Sequence, residues 1–122
     1  MKFYRCPICG NIITVIEGDE KRVSCCGKTL EELKVGTTNA SVEKHVPVYK
    51  REDDKIIVTV GEVEHPMTEE HYIMFVALIN NQNINIVKLN SSDKPEAIFP
   101  YLKGSQIYAY CNLHGLWMNE VE

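Results

Sequence analysis

The chain has 122 residues, a charged fraction of 25%, a hydrophobic fraction of 44% and a formal net charge of −4, as expected of one soluble globular domain, or of one modest domain with a small appendage. The mild acidity argues against a nucleic-acid surface, which needs a basic patch, and no apolar run approaches the ~18 residues that mark a membrane span. No basic-apolar leader pattern precedes Cys6, so a reducing, cytoplasmic setting is expected. An odd count of five cysteines in that setting points to metal binding rather than disulfides.

Residues 1–36 read as a separate unit. Cys6-Pro7-Ile8-Cys9-Gly10 forms a tight knuckle, and the apolar run 12–16 follows it. Glu17-Gly18-Asp19-Glu20 has the composition of a hairpin turn, and Lys21-Arg22-Val23-Ser24 that of a return strand into Cys25-Cys26-Gly27. A segment under ~40 residues rarely buries enough apolar surface to fold unaided, and a structural metal is a usual remedy. Metal binding supplies ~10–16 kcal/mol in zinc-finger peptides.

The small polar stretch 36–41 has the composition of a linker, so a second domain is expected over 37–122. Beyond it the pattern is strand-like. Residues 55–60 are β-branched, 71–79 form a longer apolar and aromatic run, and 80–83 supply a turn. Ile84, Ile86 and Leu89 mark a roughly alternating strand, and 96–99 and 106–110 add strands around a turn at 103–105. No capped segment with helical periodicity appears. An antiparallel β-sandwich follows, in an all-β chain.

Cys6-x-x-Cys9, fifteen intervening residues, then Cys25-Cys26 is a strong metal signature, because two thiolate pairs on hairpin-linked knuckles can enclose one ion tetrahedrally. Zinc as a structural ion and iron as a one-electron carrier both suit such a closed site. The second constellation is spread out. His45 stands before Pro47, His65 before Pro66, and His71 opens a strand. Cys111-Asn112-Leu113-His114 places a thiol and an imidazole three residues apart. Every one of the four histidines lies at a loop or a strand end. Four nitrogens and one sulfur exceed what structural zinc usually takes, whereas iron accepts more ligands. In six-coordinate iron, one position stays open to a small anion.

With Glu43-Lys44-His45-Val46-Pro47, His65-Pro66-Met67, Glu70-His71-Tyr72-Ile73, Cys111-Asn112-Leu113-His114-Gly115-Leu116-Trp117 and the two cysteine knuckles in view, the chain resembles the two-iron desulfoferrodoxins. These are superoxide reductases that carry a small desulforedoxin-like N-terminal domain. The resemblance covers nearly the whole chain. It implies a rubredoxin-type iron on Cys6, Cys9, Cys25 and Cys26, hence Fe(Cys)4. It also implies a second iron with His45, His65, His71 and His114 equatorial and Cys111 axial, hence Fe(His)4(Cys). An immunoglobulin-like fold for the second domain and a homodimer are further implications. The chain departs from the family at Glu17-Gly18-Asp19-Glu20, where many relatives carry a glycine-rich turn, and at Leu30, where methionine is common.

The expected activity is one-electron reduction of superoxide to hydrogen peroxide, with electrons from a small donor protein such as rubredoxin. Lys44 is expected to guide the anion and organise proton delivery, and Glu43 to close the open position in the resting ferric state. Trp117 and Tyr110 are expected to pack around the ligand loop. Two rival readings remain: a zinc-stabilised binding module, in which both clusters are structural, and a rubredoxin-like electron carrier that uses the four-cysteine site alone.

Overall fold

The structure is a computed structural model that describes residues 1–36 and 40–122, so the expected linker at 36–41 falls partly outside the described residues. The chain divides into two units, Met1–Lys34 and Val35–Glu122. No helix among the described residues is long and apolar enough to cross a membrane.

The first unit is built from two-residue strands. β1 (Tyr4–Arg5) pairs antiparallel with β2 (Ile12–Ile13) on one side and with β5 (Glu31–Glu32) on the other. β3 (Ser24–Cys25) and β4 (Lys28–Thr29) form a separate hairpin. The return strand expected at 21–24 is corrected by the structure, since Glu20–Arg22 forms a 3-10 turn. The cause is Asp19, whose Oδ1 accepts the Lys21 N–H at 3.0 Å while its carbonyl accepts the Arg22 N–H at 3.1 Å. A short acidic side chain thereby diverts backbone donors from a ladder. The buried side chains among the described residues of this unit are Phe3, Tyr4 and Cys6. So small a core cannot offset the entropy of ordering the unit.

The second unit is an immunoglobulin-like sandwich of two antiparallel sheets. One sheet has the order β10-β7-β6, the other β12-β11-β8-β9. Their ranges are β6 (Pro47–Glu52), β7 (Lys55–Val60), β8 (Ile73–Ile79), β9 (Ile84–Lys88), β10 (Glu96–Pro100), β11 (Gln106–Cys111) and β12 (Gly115–Glu120). Strand β7 alternates cleanly, with Ile56, Val58 and Val60 buried. They meet Ile73, Val76, Leu78, Ile107, Ala109 and Cys111 from the facing sheet, together with Phe99 and Val121, in one apolar core. The strand over 55–60 and those in 71–79, 84–89, 96–99 and 106–110 stand as the sequence suggested. The structure adds β6 and β12.

One end of the sandwich is shaped by a close backbone approach. A single helical turn, α1 (Val42–His45), precedes β6, and Gly61 at the end of β7 lies beneath it. A Cβ on Gly61 would stand 2.7 Å from the Glu43 carbonyl oxygen, 2.8 Å from the Val46 carbonyl oxygen and 3.0 Å from the Lys44 carbonyl carbon. These are backbone atoms, so they cannot swing aside. Val63 N–H also donates to the Glu43 carbonyl at 2.9 Å, which ties the two segments together. Gly61→Ala is expected to lower stability by about 1–3 kcal/mol through this overpacking. Urea unfolding of the full chain checks it, and a wild-type midpoint would mean that the 43–46 turn moves freely.

Candidate metal centres

The four cysteines of the first unit converge. Their sulfurs all lie within 4.8 Å of one another, with Cys9 Sγ 3.5 Å from Cys25 Sγ and Cys25 Sγ 4.0 Å from Cys26 Sγ. A tetrahedral thiolate site with metal–sulfur bonds of ~2.3 Å has sulfur–sulfur edges of about 3.8 Å, whereas a disulfide requires ~2.05 Å. The cysteines are therefore spaced for a shared ion, and all are free thiols. Local backbone explains the convergence. Gly10 at φ +77° turns the first knuckle, and Cys26 at φ +53° followed by Gly27 at φ +72° turns the second. The left-handed conformation at Cys26 lets two adjacent cysteines reach one point.

Hydrogen bonds favour anionic sulfur at one corner. The Cys9 N–H points at Cys6 Sγ at 3.5 Å, and this contact leads in lowering the Cys6 thiol to about 6. Cys25, crowded first by the Cys9 side chain and then by Cys6, is pushed up to about 12. Four sulfurs this close cannot all ionise without a cation among them.

The second cluster lies at one end of the sandwich. His45 ends α1, His65 lies in the loop after β7, His71 precedes β8, and His114 sits in the tight turn between β11 and β12. The imidazoles form a closed ring. Centroid separations around it are 4.6 Å (His45–His65), 4.6 Å (His65–His71), 5.0 Å (His71–His114) and 4.9 Å (His45–His114). Neighbouring planes stand at 78° to 90°, while His45 and His71 face each other across the ring at 6.3 Å and 27°. Donor atoms of His45, His71, Cys111 and His114 lie within 4.8 Å of one another. His65 falls outside that tighter group but joins it through His45, Nε2 to Nε2 at 3.2 Å.

The tautomers follow from the carbonyls. His45 Nδ1 lies 2.6 Å from the Ser41 carbonyl oxygen and His65 Nδ1 lies 2.7 Å from the Pro66 carbonyl oxygen. A carbonyl only accepts, so both Nδ1 atoms carry the proton and both Nε2 atoms are bare in the neutral rings. Two bare nitrogens pointing at each other across 3.2 Å repel unless a cation lies between them. His114 turns its Nδ1 inward, 3.1 Å from His45 Nε2 and 3.8 Å from Cys111 Sγ. His71 Nε2 is buried with no hydrogen-bond partner, an orphan of the kind a missing ion leaves behind. Adjacent nitrogens ~2.1 Å from a common metal would be about 3 Å apart, which matches the spacings here. The residues fit a metal ion.

Burial sets the protonation. Desolvation leads in lowering His45, His65 and His71, with His65 reaching about 4. Desolvation raises Cys111, while the backbone N–H groups of Leu113 and His114 oppose that rise. The ring has a dry edge and a wetter one, since His45 and His65 are 3% and 1% exposed whereas His71 and His114 are half-buried. Lys44 and Glu43 are exposed on α1 beside His45. The positive charge of Lys44 is felt at both His45 and His71. Trp117 donates its indole N–H to the His114 carbonyl at 3.0 Å, and its ring lies 5.1 Å from that of His45. Tyr110 stacks on Phe75 at 5.6 Å. Gly61 and Asn112 bear on the site without being ligands. A non-bulky residue after an apolar strand and a carboxamide between two ligands were the only sequence signals for them.

Comparison with known proteins gives a consistent picture. The family model described as Desulfoferrodoxin matches residues 37–120, and the one described as Desulfoferrodoxin, N-terminal domain, matches residues 1–33. A desulfoferrodoxin of Syntrophotalea carbinolica is 46% identical over 121 residues, covering 98% of this chain and 96% of the relative. Among solved structures, the superoxide reductase of Treponema pallidum is 32% identical with a TM-score of 0.77 and 98% coverage of both chains. The superoxide reductase (1Fe-SOR) of Giardia intestinalis is 33% identical with a TM-score of 0.59, covering 66% of this chain and 98% of its own.

The lowered histidines make the metal-free protein acid-sensitive. His65 titrates at about 4 when folded against an ordinary value of 6.5, and His45 and His71 are shifted the same way. Between those values the unfolded chain binds more protons than the folded one. Their contribution to stability is therefore fully present above about pH 6.5 and is lost as pH falls toward about 4. Urea midpoints of the metal-free chain are expected to fall steadily through that window, and a flat profile would contradict the neutral-ring assignment.

Proposed function

The chain belongs to the desulfoferrodoxin family, and from that premise we propose that the ring of His45, His65, His71 and His114, closed by Cys111, is the centre at which it acts as a superoxide reductase. The reaction consumes one superoxide, one electron and two protons and yields hydrogen peroxide. The observation that carries the site assignment is the pair of bare Nε2 atoms of His45 and His65 facing each other at 3.2 Å inside a ring whose fourth member, His71, has an orphaned Nε2.

Two irons per chain fit the donor sets, Fe(Cys)4 on Cys6, Cys9, Cys25 and Cys26 and Fe(His)4(Cys) on the second set. When bound, iron supplies one-electron chemistry at both sets and, at the second, a position for a small anion. The protein does the rest. The Ser41 and Pro66 carbonyls hold two rings in the tautomer that presents Nε2 inward. Burial pushes the Cys111 thiol up, and the Leu113 and His114 N–H groups work against that rise at the sulfur. Lys44, exposed on the last turn of α1, draws the anion toward the ring and orders water for proton delivery. Glu43, its neighbour, competes for the same opening once the centre is oxidised.

The first unit spans residues 1–36 in this reading and the catalytic unit residues 37–122. Cys9 and Cys26 are exposed, which suits electron exchange with a small donor protein such as a rubredoxin. The first unit then serves as an entry point for electrons. The family resemblance adds a homodimer to this reading, and five cysteines without a disulfide suit a reducing, cytoplasmic setting. A purely structural zinc role for the second site is disfavoured by its fifth donor.

Lys44→Ala is expected to reduce the second-order rate with superoxide about tenfold, with the loss shrinking as salt is added. Pulse radiolysis on the reduced, iron-loaded protein measures it, and an unchanged rate at low salt would remove Lys44 from the mechanism. Glu43→Ala is expected to alter the ferric absorption spectrum with little effect on that rate. A ferric spectrum identical to that of the parent would dismiss Glu43 as an oxidised-state ligand.

A further inference from the structure

The four histidines are not held alike. His45 and His65 each have a carbonyl oxygen fixing the outer ring nitrogen, at 2.6 Å and 2.7 Å. His114 lies in a two-strand turn whose carbonyl accepts the Trp117 indole N–H. His71 stands ahead of β8, half-buried, and its backbone closes a small loop with Thr68 through bonds of 2.9 Å and 3.1 Å. That loop sets the local turn but does not fix its distance from Cys111 and His114.

The ladder that would set this distance fails at the critical point. β11 and β8 pair residue for residue from Gln106↔Ile79 to Tyr110↔Phe75, after which the register slips and Cys111 opposes Ile73. Beyond the slip a side chain takes over. Asn112 Oδ1 accepts the Tyr72 N–H at 3.0 Å, and Asn112 Nδ2 donates to the Glu70 carbonyl at 3.0 Å. The Asn112 backbone N–H donates to the Tyr72 carbonyl at 3.2 Å. The carboxamide thus behaves as one more peptide group, grasping the chain on both sides of His71.

We propose that Asn112 is a positioning residue that sets the distance between His71 and the Cys111–His114 pair, by clamping Glu70 and Tyr72 across the interrupted β8–β11 ladder. A carboxamide offers a donor and an acceptor on two separate atoms of one planar group, as a peptide does. Aspartate keeps the acceptor and loses the donor; leucine keeps the shape and loses both. The proposal rests on the assignment of His71 as a metal ligand. It adds that the fourth imidazole is held at its backbone by a residue from the opposite ligand loop rather than at its ring.

The test uses the full-length, iron-loaded protein with three variants, Asn112→Leu, Asn112→Asp and His71→Ala, and the double variant Asn112→Leu/His71→Ala. The readouts are iron loss from the histidine-cysteine centre to a chelator and the ferric absorption spectrum of that centre, with the four-cysteine iron as internal control. Supporting shells of metal sites typically contribute 10–100-fold in affinity, so Asn112→Leu is expected to release the iron roughly that much faster, with Asn112→Asp between it and the parent. The double variant is expected to be no worse than His71→Ala alone, because a residue acting through His71 has nothing to add once His71 is gone. Additive losses would overturn the proposal, as would parental retention in Asn112→Leu. If Asn112→Leu does not fold, Asn112→Asp decides, and parental retention there overturns the clamp. Should His71→Ala itself retain iron like the parent, the ligand assignment fails, an outcome distinct from failure of the clamp.

Discussion

The architecture depends on antiparallel pairing along strand β11. It is bonded to β12 through the pairs from Gln106↔Glu120 to Cys111↔Gly115 and to β8 along most of its length. Antiparallel strands send alternate connections to the same end of a sandwich. The entry to β6, the β7–β8 connection and the β11–β12 turn therefore share one end, and these are the segments that carry His45, His65 with His71, and Cys111 with His114. No ligand needs a long reach. The buried strand fixes Cys111 at 0% exposure, and the loops on either side need only be held at the right height above it. Where the ladder stops, substitutes appear: the Val63 N–H on the Glu43 carbonyl, Gly61 beneath α1, and the Asn112 carboxamide on the 70–72 segment.

Much of this was legible in the sequence because it depends on residue type and spacing. Ile56, Val58 and Val60 declared β7 by alternation, since one face of the strand is buried and the other is not. The cysteine knuckles declared themselves because thiols are scarce and their spacing is constrained by the metal they share. The five donors of the second centre were readable only as a set. His65 and His71, far apart in the chain from Cys111, are tied to it by topology rather than by spacing.

What escaped has a physical reason in each case. The segment 21–24 looks like a strand by composition, but Asp19 competes for its backbone donors and bends it into a turn. β6 carries Lys50, Arg51 and Glu52 on an exposed outer half, so its alternation is faint, and it is defined by pairing with β7. β12 begins immediately after the ligand turn, and its strand character comes from its partner β11. In the sequence Asn112 stands only as a carboxamide between Cys111 and His114. Its role emerges only when the register slip between Tyr110 and Cys111 leaves neighbouring backbone groups in want of partners.

The two centres also differ in charge, and this bears on which one can meet an anion. Four thiolates around a ferrous ion leave a net double negative charge, whereas four neutral imidazoles and one thiolate leave a single positive charge. An anion is repelled by the first charge and drawn to the second, and the positive charge of Lys44 is felt at both His45 and His71. The lowered histidines serve the same end. Their desolvation keeps the rings neutral and therefore available as donors, so the positive charge resides on the ion rather than on imidazolium groups that could not bind it. Burial of the His45–His65 edge, half-exposure of the His71–His114 edge and the bare inward nitrogens are thus parts of one arrangement. The wetter edge is where an anion and water can approach, and it is also the edge whose two ligands Asn112 ties together.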